Sequence, residues 1–157
     1  MKDKKTLILV VVALIIVLAI YSFPNEIKKE FTGLKYRLDD ASEEKRVAIK
    51  IDGWYTRRLF QNDQFQGTIY IGDEKLSQVN SYVDKEGEIL VTFDDESEDF
   101  KSFGKIYSLD RFKEFTIAIF ENGEWDNEEG IILSAPAKDR EDAVKISKSL
   151  MESLITN

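Results

Sequence analysis

The first strong hydrophobic pattern in the chain is an unbroken apolar run from Leu7 to Ile20. Extended to Thr6–Phe23, the run makes about 27 Å of helix at roughly 1.5 Å per residue, close to a hydrocarbon core about 30 Å thick. A buried core helix of this length normally shows a polar face, and this segment has none. The pattern predicts a helix that contacts the lipid bilayer through Thr6–Phe23.

This helix has two interpretations, a cleaved signal peptide and a permanent anchor. A signal peptide has an apolar region of about 7–15 residues followed by a small-x-small cleavage site. The run here is longer, and residues 19–23 offer no such site, so we favour an uncleaved signal-anchor. A short basic tail normally stays in the cytoplasm. Because Lys2, Lys4 and Lys5 precede the helix, we expect a cytoplasmic N-terminus and a single-pass protein with its soluble domain outside, although basic residues after the helix leave the reverse orientation open.

Residues 24–44 form a connecting segment that has two interpretations, a helix or a first strand. Apolar residues from Ile27 to Leu38 recur at helical spacing, typical of an amphipathic stalk. From Leu34 onward they also alternate, which is typical of a first strand. Gly33 weakens the helix, so we favour the strand.

Period-2 alternation dominates the next ninety or so residues and predicts a β-rich soluble domain at 45–157. The strands predicted there are 47–55, 65–71, 89–93, 103–107, 115–120 and 131–133. Asn122-Gly123 is a strong signal for a tight hairpin.

The C-terminal segment changes to helical period. Asp139 can cap a helix with Asp142 three residues on. An apolar stripe follows at Ala143, Ile146, Leu150, Met151 and Leu154. The sequence therefore predicts an α+β fold: a tail and transmembrane helix (1–23), then a small antiparallel β-meander of about six or seven strands with the C-terminal amphipathic helix packed on the sheet.

Composition narrows the chemistry that this domain can perform. The chain has a net charge of −8 and contains neither cysteine nor histidine. Strong acidity disfavours nucleic-acid binding. The missing residue types remove disulfides, thiolate and imidazole metal sites, cysteine nucleophiles and Ser-His-Asp triads. We expect no cofactor and favour a non-enzymatic role.

One acidic cluster stands out at the end of a predicted strand. Its carboxylates belong to Asp94, Asp95, Glu96, Glu98 and Asp99. They could bind Ca²⁺ weakly, but their spacing does not match a calcium-binding loop. We favour a solvated turn.

Large aromatic residues near strand ends are the candidate ligand-binding or partner-binding residues. Trp54, Tyr55 and Trp125 could stack on a ligand or anchor a protein if exposed, although core packing is their commoner fate. Arg57 and Arg58 form an adjacent pair that could meet a carboxylate or phosphate, or pair with neighbouring acids.

These patterns favour a membrane-anchored, extracytoplasmic binding or interaction domain of a bacterial envelope protein, with a protein partner at the membrane. One alternative is a small envelope hydrolase that uses carboxylates or a bound cation. Another is an immunity-type inhibitor that blocks a toxin through acidic complementarity.

Overall fold

The computed structural model describes residues 2–83, 87–94, 97–109 and 111–155. It begins with helix α1 (Lys2–Tyr21) and ends with helix α2 (Arg140–Ile155). Between them lie eight strands: β1 (Asn25–Arg37), β2 (Glu44–Thr56), β3 (Asp63–Ile71), β4 (Glu74–Val83), β5 (Glu88–Asp94), β6 (Asp99–Leu109), β7 (Glu114–Ile119) and β8 (Ile131–Ala135).

The eight strands form a closed antiparallel barrel in which each strand pairs with its neighbours in the sequence. Closure comes from pairing of β1 with β8, from Leu34–Ser134 to Arg37–Ile131. The antiparallel sheet expected from the sequence is confirmed, but the open meander of six or seven strands is wrong. Closure gives β1 and β8 partners on both sides, whereas a meander would leave both with unpaired backbone groups.

Strand β4 is the strand that the sequence pattern does not reveal. A bulge interrupts it: the pairing with β3 shifts between Gly67 and Ile69, and Gln78 has a φ of 50°. The bulge changes the spacing of the inward residues, so that Leu76 and Val79 are three positions apart. A further buried position is occupied by Ser81, so the simple alternation of apolar residues is lost.

Strand β1 resolves the ambiguity of the connecting segment. It begins at Asn25 and pairs with β2 over almost its whole length, from Asn25–Tyr55 to Tyr36–Glu44. The helical stalk is therefore wrong, and the strand is longer than the alternation from Leu34 suggests. Its first half alternates less clearly because the inward position at Lys29 is basic.

Side chains from all eight strands fill the barrel. The buried cluster on this inner face contains Ile27, Val47, Ile49, Ile51, Tyr55, Phe65, Ile69, Ile71, Leu76, Val79, Val83, Leu90, Ile106, Phe112, Phe115, Ile117, Ile119, Leu133 and Ala135. An eight-stranded barrel is just wide enough for its side chains to fill. Phe65 fits because Gly53 and Gly67 face each other: a Cβ on either would lie 2.9 Å from its ring.

Helix α2 covers the outside of the barrel over β1, β6, β7 and β8. Ala143, Leu150 and Met151 are buried there, as the predicted stripe requires, whereas the side chain of Leu154 lies outside the described residues. The capping prediction is confirmed, because the Asp142 amide donates to Asp139 Oδ1 over 2.9 Å. Because the barrel interior lies on one side of β7 and α2 on the other, every described residue of β7 after Glu114 is buried.

Helix α1 is long and apolar enough to span a membrane, and none of the residues Lys4–Tyr21 is buried against the barrel. Its hydrogen bonds continue past Tyr21, since the amides of Ser22 and Phe23 donate to Leu18 and Ile20 carbonyls. Strand β1 therefore begins two residues after the last turn of this helix.

The strand order defines two ends of the barrel. The near end, next to α1, contains the start of β1 and the turns β2–β3, β4–β5 and β6–β7. The far end contains the turns β1–β2, β3–β4, β5–β6 and β7–β8. Phe112, in the β6–β7 turn, closes the near end by packing edge-on against Tyr55, Phe65 and Phe115.

The filled interior predicts a large loss of stability for Phe115→Ala. This side chain is fully buried and contacts Phe31 and Phe112 edge-on. Its removal leaves a cavity that should lower the free energy of unfolding by about 3–5 kcal/mol. Urea unfolding of the full chain in mild detergent measures this loss. Phe60→Ala, at a residue that is 97% exposed, is the control, and equal midpoints for the two variants would contradict a packed interior.

Candidate functional site

The far-end turns carry a concentration of exposed carboxylates that we name the acidic rim. Its described members are Asp39, Asp40, Glu43, Asp73, Glu98, Glu121, Glu124, Asp126, Glu128 and Glu129. No lysine or arginine occurs among the described residues of these four turns. The rim therefore presents a strongly negative surface at the end of the barrel opposite α1.

Arg37, the last residue of β1, organises one side of the acidic rim. Its guanidinium donates to Glu43 over 2.9 Å and to both carboxylate oxygens of Glu121 over 3.0 and 3.1 Å. It also donates to the Glu129 carbonyl over 2.8 Å. Arg37 thus ties the β1–β2 turn to the β7–β8 turn where the barrel closes.

Several rim carboxylates are held in their charged form. The Arg37 guanidinium lowers the pKa of Glu121. Hydrogen bonds from Ser42 lower the pKa of Asp40. The backbone amides of Glu129 and Glu128 lower the pKa of Asp126, with donor distances of 3.0 and 2.7 Å. These three carboxylates consequently keep their negative charge to lower pH than isolated carboxylates would.

Trp125 lies in the β7–β8 turn beside the rim and is half-buried. It packs against the cluster under α2, and a Cβ on Gly130 would lie 2.4 Å from its Nε1 atom. The expected Asn122-Gly123 turn precedes it, closed by backbone hydrogen bonds of 2.9 and 3.3 Å between Glu121 and Glu124. Trp125 therefore helps to hold this turn in place.

The acidic cluster expected from the sequence belongs to the same end. Asp94 pairs with Lys101 over 2.8 Å, and Asp99 Oδ1 accepts from the Phe100 amide. Asp95 and Glu96 lie outside the described residues, and the part of the chain that is described contains no group of three acidic residues arranged to hold a metal. Weak Ca²⁺ binding stays a prediction.

Trp54 and Tyr55 point to opposite sides of β2 near the near end. Tyr55 is buried in the barrel, where its hydroxyl donates to Asp63 over 2.8 Å and burial raises its pKa. Trp54 is 53% exposed on the outer wall. Core packing is therefore confirmed for Tyr55 and wrong for Trp54.

Arg57 and Arg58 follow in the β2–β3 turn. The Arg57 guanidinium lies 5.5 Å from the centroid of the Tyr21 ring in α1. Arg58 donates to Gln61 over 3.0 Å and to Gln64, and it stacks on Tyr82. Within the described residues, neither guanidinium has an acidic partner within 4 Å.

The structure thus divides the candidate residues between two surfaces. Trp54, Arg57 and Arg58 lie at the near end, whereas Trp125 and the acidic cluster lie at the far end. The convergence of the far-end turns is the feature that sequence reasoning missed. Its signal is present in the sequence between the strands, since the four far-end connections contain acidic residues and no lysine or arginine, whereas the β2–β3 connection at the near end contains two arginines and no acidic residue.

Comparison with protein-family models, with curated proteins and with solved structures finds no match for this chain.

The contact between Arg37 and Glu121 predicts a pH-dependent contribution to stability. Because the pKa of Glu121 in the folded protein is below its ordinary value of 4.5, its contribution is complete above that pH and is lost as the pH falls through the lowered pKa. Glu121→Gln should therefore melt below the wild type at pH 7, and the two melting curves should converge in acid.

Melting temperatures measured from pH 7 down to pH 3 by circular dichroism test this dependence. Glu124→Gln is the control, because this side chain has no hydrogen bond from a base among the described residues. A Glu121→Gln deficit that is equally large in acid would contradict the ionic role of Glu121.

Proposed function

We propose that this chain is a membrane-tethered, extracytoplasmic binding module whose acidic rim recognises a basic surface on a protein partner. The observation that carries the proposal is the segregation of charge: exposed carboxylates without basic residues in the described far-end turns, opposite the helix that serves as the anchor. The barrel acts as a rigid support, because its interior is filled by packed side chains.

Charge complementarity is the means of recognition that such a rim supports. Clustered charge of one sign steers an oppositely charged partner and rejects partners of like charge. The hydrogen bonds of Arg37 and of the turn amides hold several rim carboxylates in place before a partner arrives. Less conformational freedom is then lost on binding.

The tether supports the same arrangement. An anionic leaflet repels a negatively charged surface, so the acidic rim is favoured on the side away from the bilayer. The barrel is attached at its other end, through α1. Both effects present the rim to soluble or membrane-bound partners.

Neutralising the rim should release the partner. We expect the triple variant Asp73→Asn, Glu124→Gln, Glu128→Gln to lose roughly tenfold in affinity. A photo-crosslinking residue placed at Asn122, in the β7–β8 turn, would report binding in intact cells. The crosslinked adduct should diminish in the triple variant.

A matched control removes the same number of charges elsewhere. Glu30, Glu114 and Glu141 are exposed and lie outside the far-end turns, so their replacement by Gln should leave the adduct unchanged. An adduct that persists in the rim variant, or that falls equally in both variants, would defeat the proposed role of the rim.

The proposed orientation predicts which side of the membrane each end faces. The chain contains no cysteine, so Asp73→Cys provides a single thiol in a far-end turn. A membrane-impermeant maleimide should label it in intact cells, whereas Lys4→Cys, before the apolar run, should react only after permeabilisation. The reverse pattern would place the barrel in the cytoplasm.

A further inference from the structure

We infer that the near end of the barrel is a second membrane contact, in which the β2–β3 turn inserts Leu59 and Phe60 at the lipid interface and Arg57 and Arg58 bind lipid phosphates. This inference rests on the proposed membrane tether. The inference adds a second contact to the tether, because α1 alone would leave the barrel free to tilt or to stand clear of the bilayer.

The first support is the distribution of exposed apolar side chains. Of the seven large apolar side chains that are exposed in the described part of the barrel, only Tyr70 and Phe100 lie away from the near end. The other five, which we name the near-end patch, are Trp54, Leu59, Phe60, Tyr82 and Ile89. Such a concentration marks an interaction surface.

The near-end patch lies on the part of the barrel wall that α2 leaves uncovered. Trp54 is in β2, Tyr82 in β4 and Ile89 in β5, whereas α2 packs over β1, β6, β7 and β8. Phe60 is 97% exposed and Leu59 is 45% exposed. Two adjacent apolar side chains at the tip of a turn can insert into lipid without moving the strands.

Charge at the near end suits an anionic bilayer. The β2–β3 turn contains Arg57 and Arg58 and no acidic residue, and the described residues of the β6–β7 turn add Arg111 and Lys113, whereas Asp84, Glu86 and Asp110 of the near-end connections lie outside the described residues. Asp63, the first residue of β3, accepts hydrogen bonds from the Tyr55 hydroxyl and the Arg58 amide. Arginine binds phosphate oxygens through two parallel hydrogen bonds. Basic residues beside Trp, Phe and Leu are the composition of segments that lie in a membrane interface.

The short link between α1 and β1 favours the lipid bilayer as the partner that contacts the near end. Tyr21 and Asn25 are separated by three residues, which span at most roughly 14 Å. The link is shorter in practice, because Ser22 and Phe23 still hydrogen-bond to the last turn of α1. Arg57 already touches the Tyr21 ring. A headgroup layer roughly 5–8 Å thick therefore reaches the β2–β3 turn.

Lipid-nitroxide quenching of a single tryptophan tests the contact in the full chain. We would replace Trp54 and Trp125 by Phe and place the reporter with Phe60→Trp, in vesicles of phosphatidylcholine and phosphatidylglycerol. Nitroxides just below the headgroups should quench the reporter at position 60. The same background with Tyr70→Trp, on the wall towards the far end, should show little quenching.

A third reporter separates failure of this inference from failure of the tether. Val12→Trp lies in α1 and should be quenched by nitroxides deep in the acyl chains. If position 12 is quenched and position 60 is no more quenched than position 70, the inference is overturned and the tether stands. If position 12 is not quenched, the tether fails and the inference falls with it.

Substitution of the arginines, which follow β2, tests the phosphate contact against a matched basic pair at the start of β2. Arg57→Gln with Arg58→Gln should lower quenching at position 60 towards the value at position 70. Lys45→Gln with Arg46→Gln removes two basic residues at the other end of β2 and should change nothing. Equal effects of the two pairs would refute a specific role for the arginines.

Circular dichroism of each reporter protein verifies that the barrel is intact. If replacing both tryptophans unfolds the barrel, Trp125 is retained in every variant. Trp125 lies at the far end, so it adds the same unquenched fluorescence to each variant. The comparison of positions 60, 70 and 12 then decides the question as before.

Discussion

Backbone hydrogen bonds between β1 and β8 close the sheet, and every later feature of the molecule follows from that closure. Once the barrel is closed, alternate residues of each strand must face inward and fill a space of fixed width. The outward residues of β1, β6, β7 and β8 form a second apolar surface, which α2 covers. Apart from the start of β1 and buried turn residues such as Phe112, the ends of the barrel are composed of exposed turns, whose chemistry can vary without disturbing the core.

The turns at the two ends of the barrel differ in their charged residues. The far-end turns carry carboxylates held by Arg37 and by turn amides, and the near-end turns carry arginines beside Leu59 and Phe60. An anionic bilayer attracts basic groups and repels acidic ones, and its interface attracts aromatic groups. In the proposed arrangement this field favours membrane contact at the near end and exposure at the far end, and so directs the acidic rim away from the bilayer.

Local patterns in the sequence predict the elements but not their closure. The helix at the apolar run of α1 and the Asp139 cap of α2 depend on neighbouring residues, and both predictions are confirmed. Strand β4 is not predicted, because its bulge and the buried Ser81 interrupt the alternation of apolar and polar residues. Pairing of β1 with β8 joins residues about a hundred positions apart, which no local period encodes. The acidic rim depends on the same closure, since the turns of Asp40, Asp73 and Glu128 are brought to one end only when the barrel forms.

In the proposed arrangement, the closed barrel stands with its near end on the bilayer and its acidic rim directed away from it. Energy transfer from a donor at position 73, introduced by Asp73→Cys, to acceptor lipids measures the height of the rim most directly. Position 73 follows the nine-residue strand β3, and a strand of that length tilted in a barrel places the donor roughly 25 Å above the headgroups. A donor within roughly 15 Å of the acceptors, as in a barrel lying on its wall, would contradict the account.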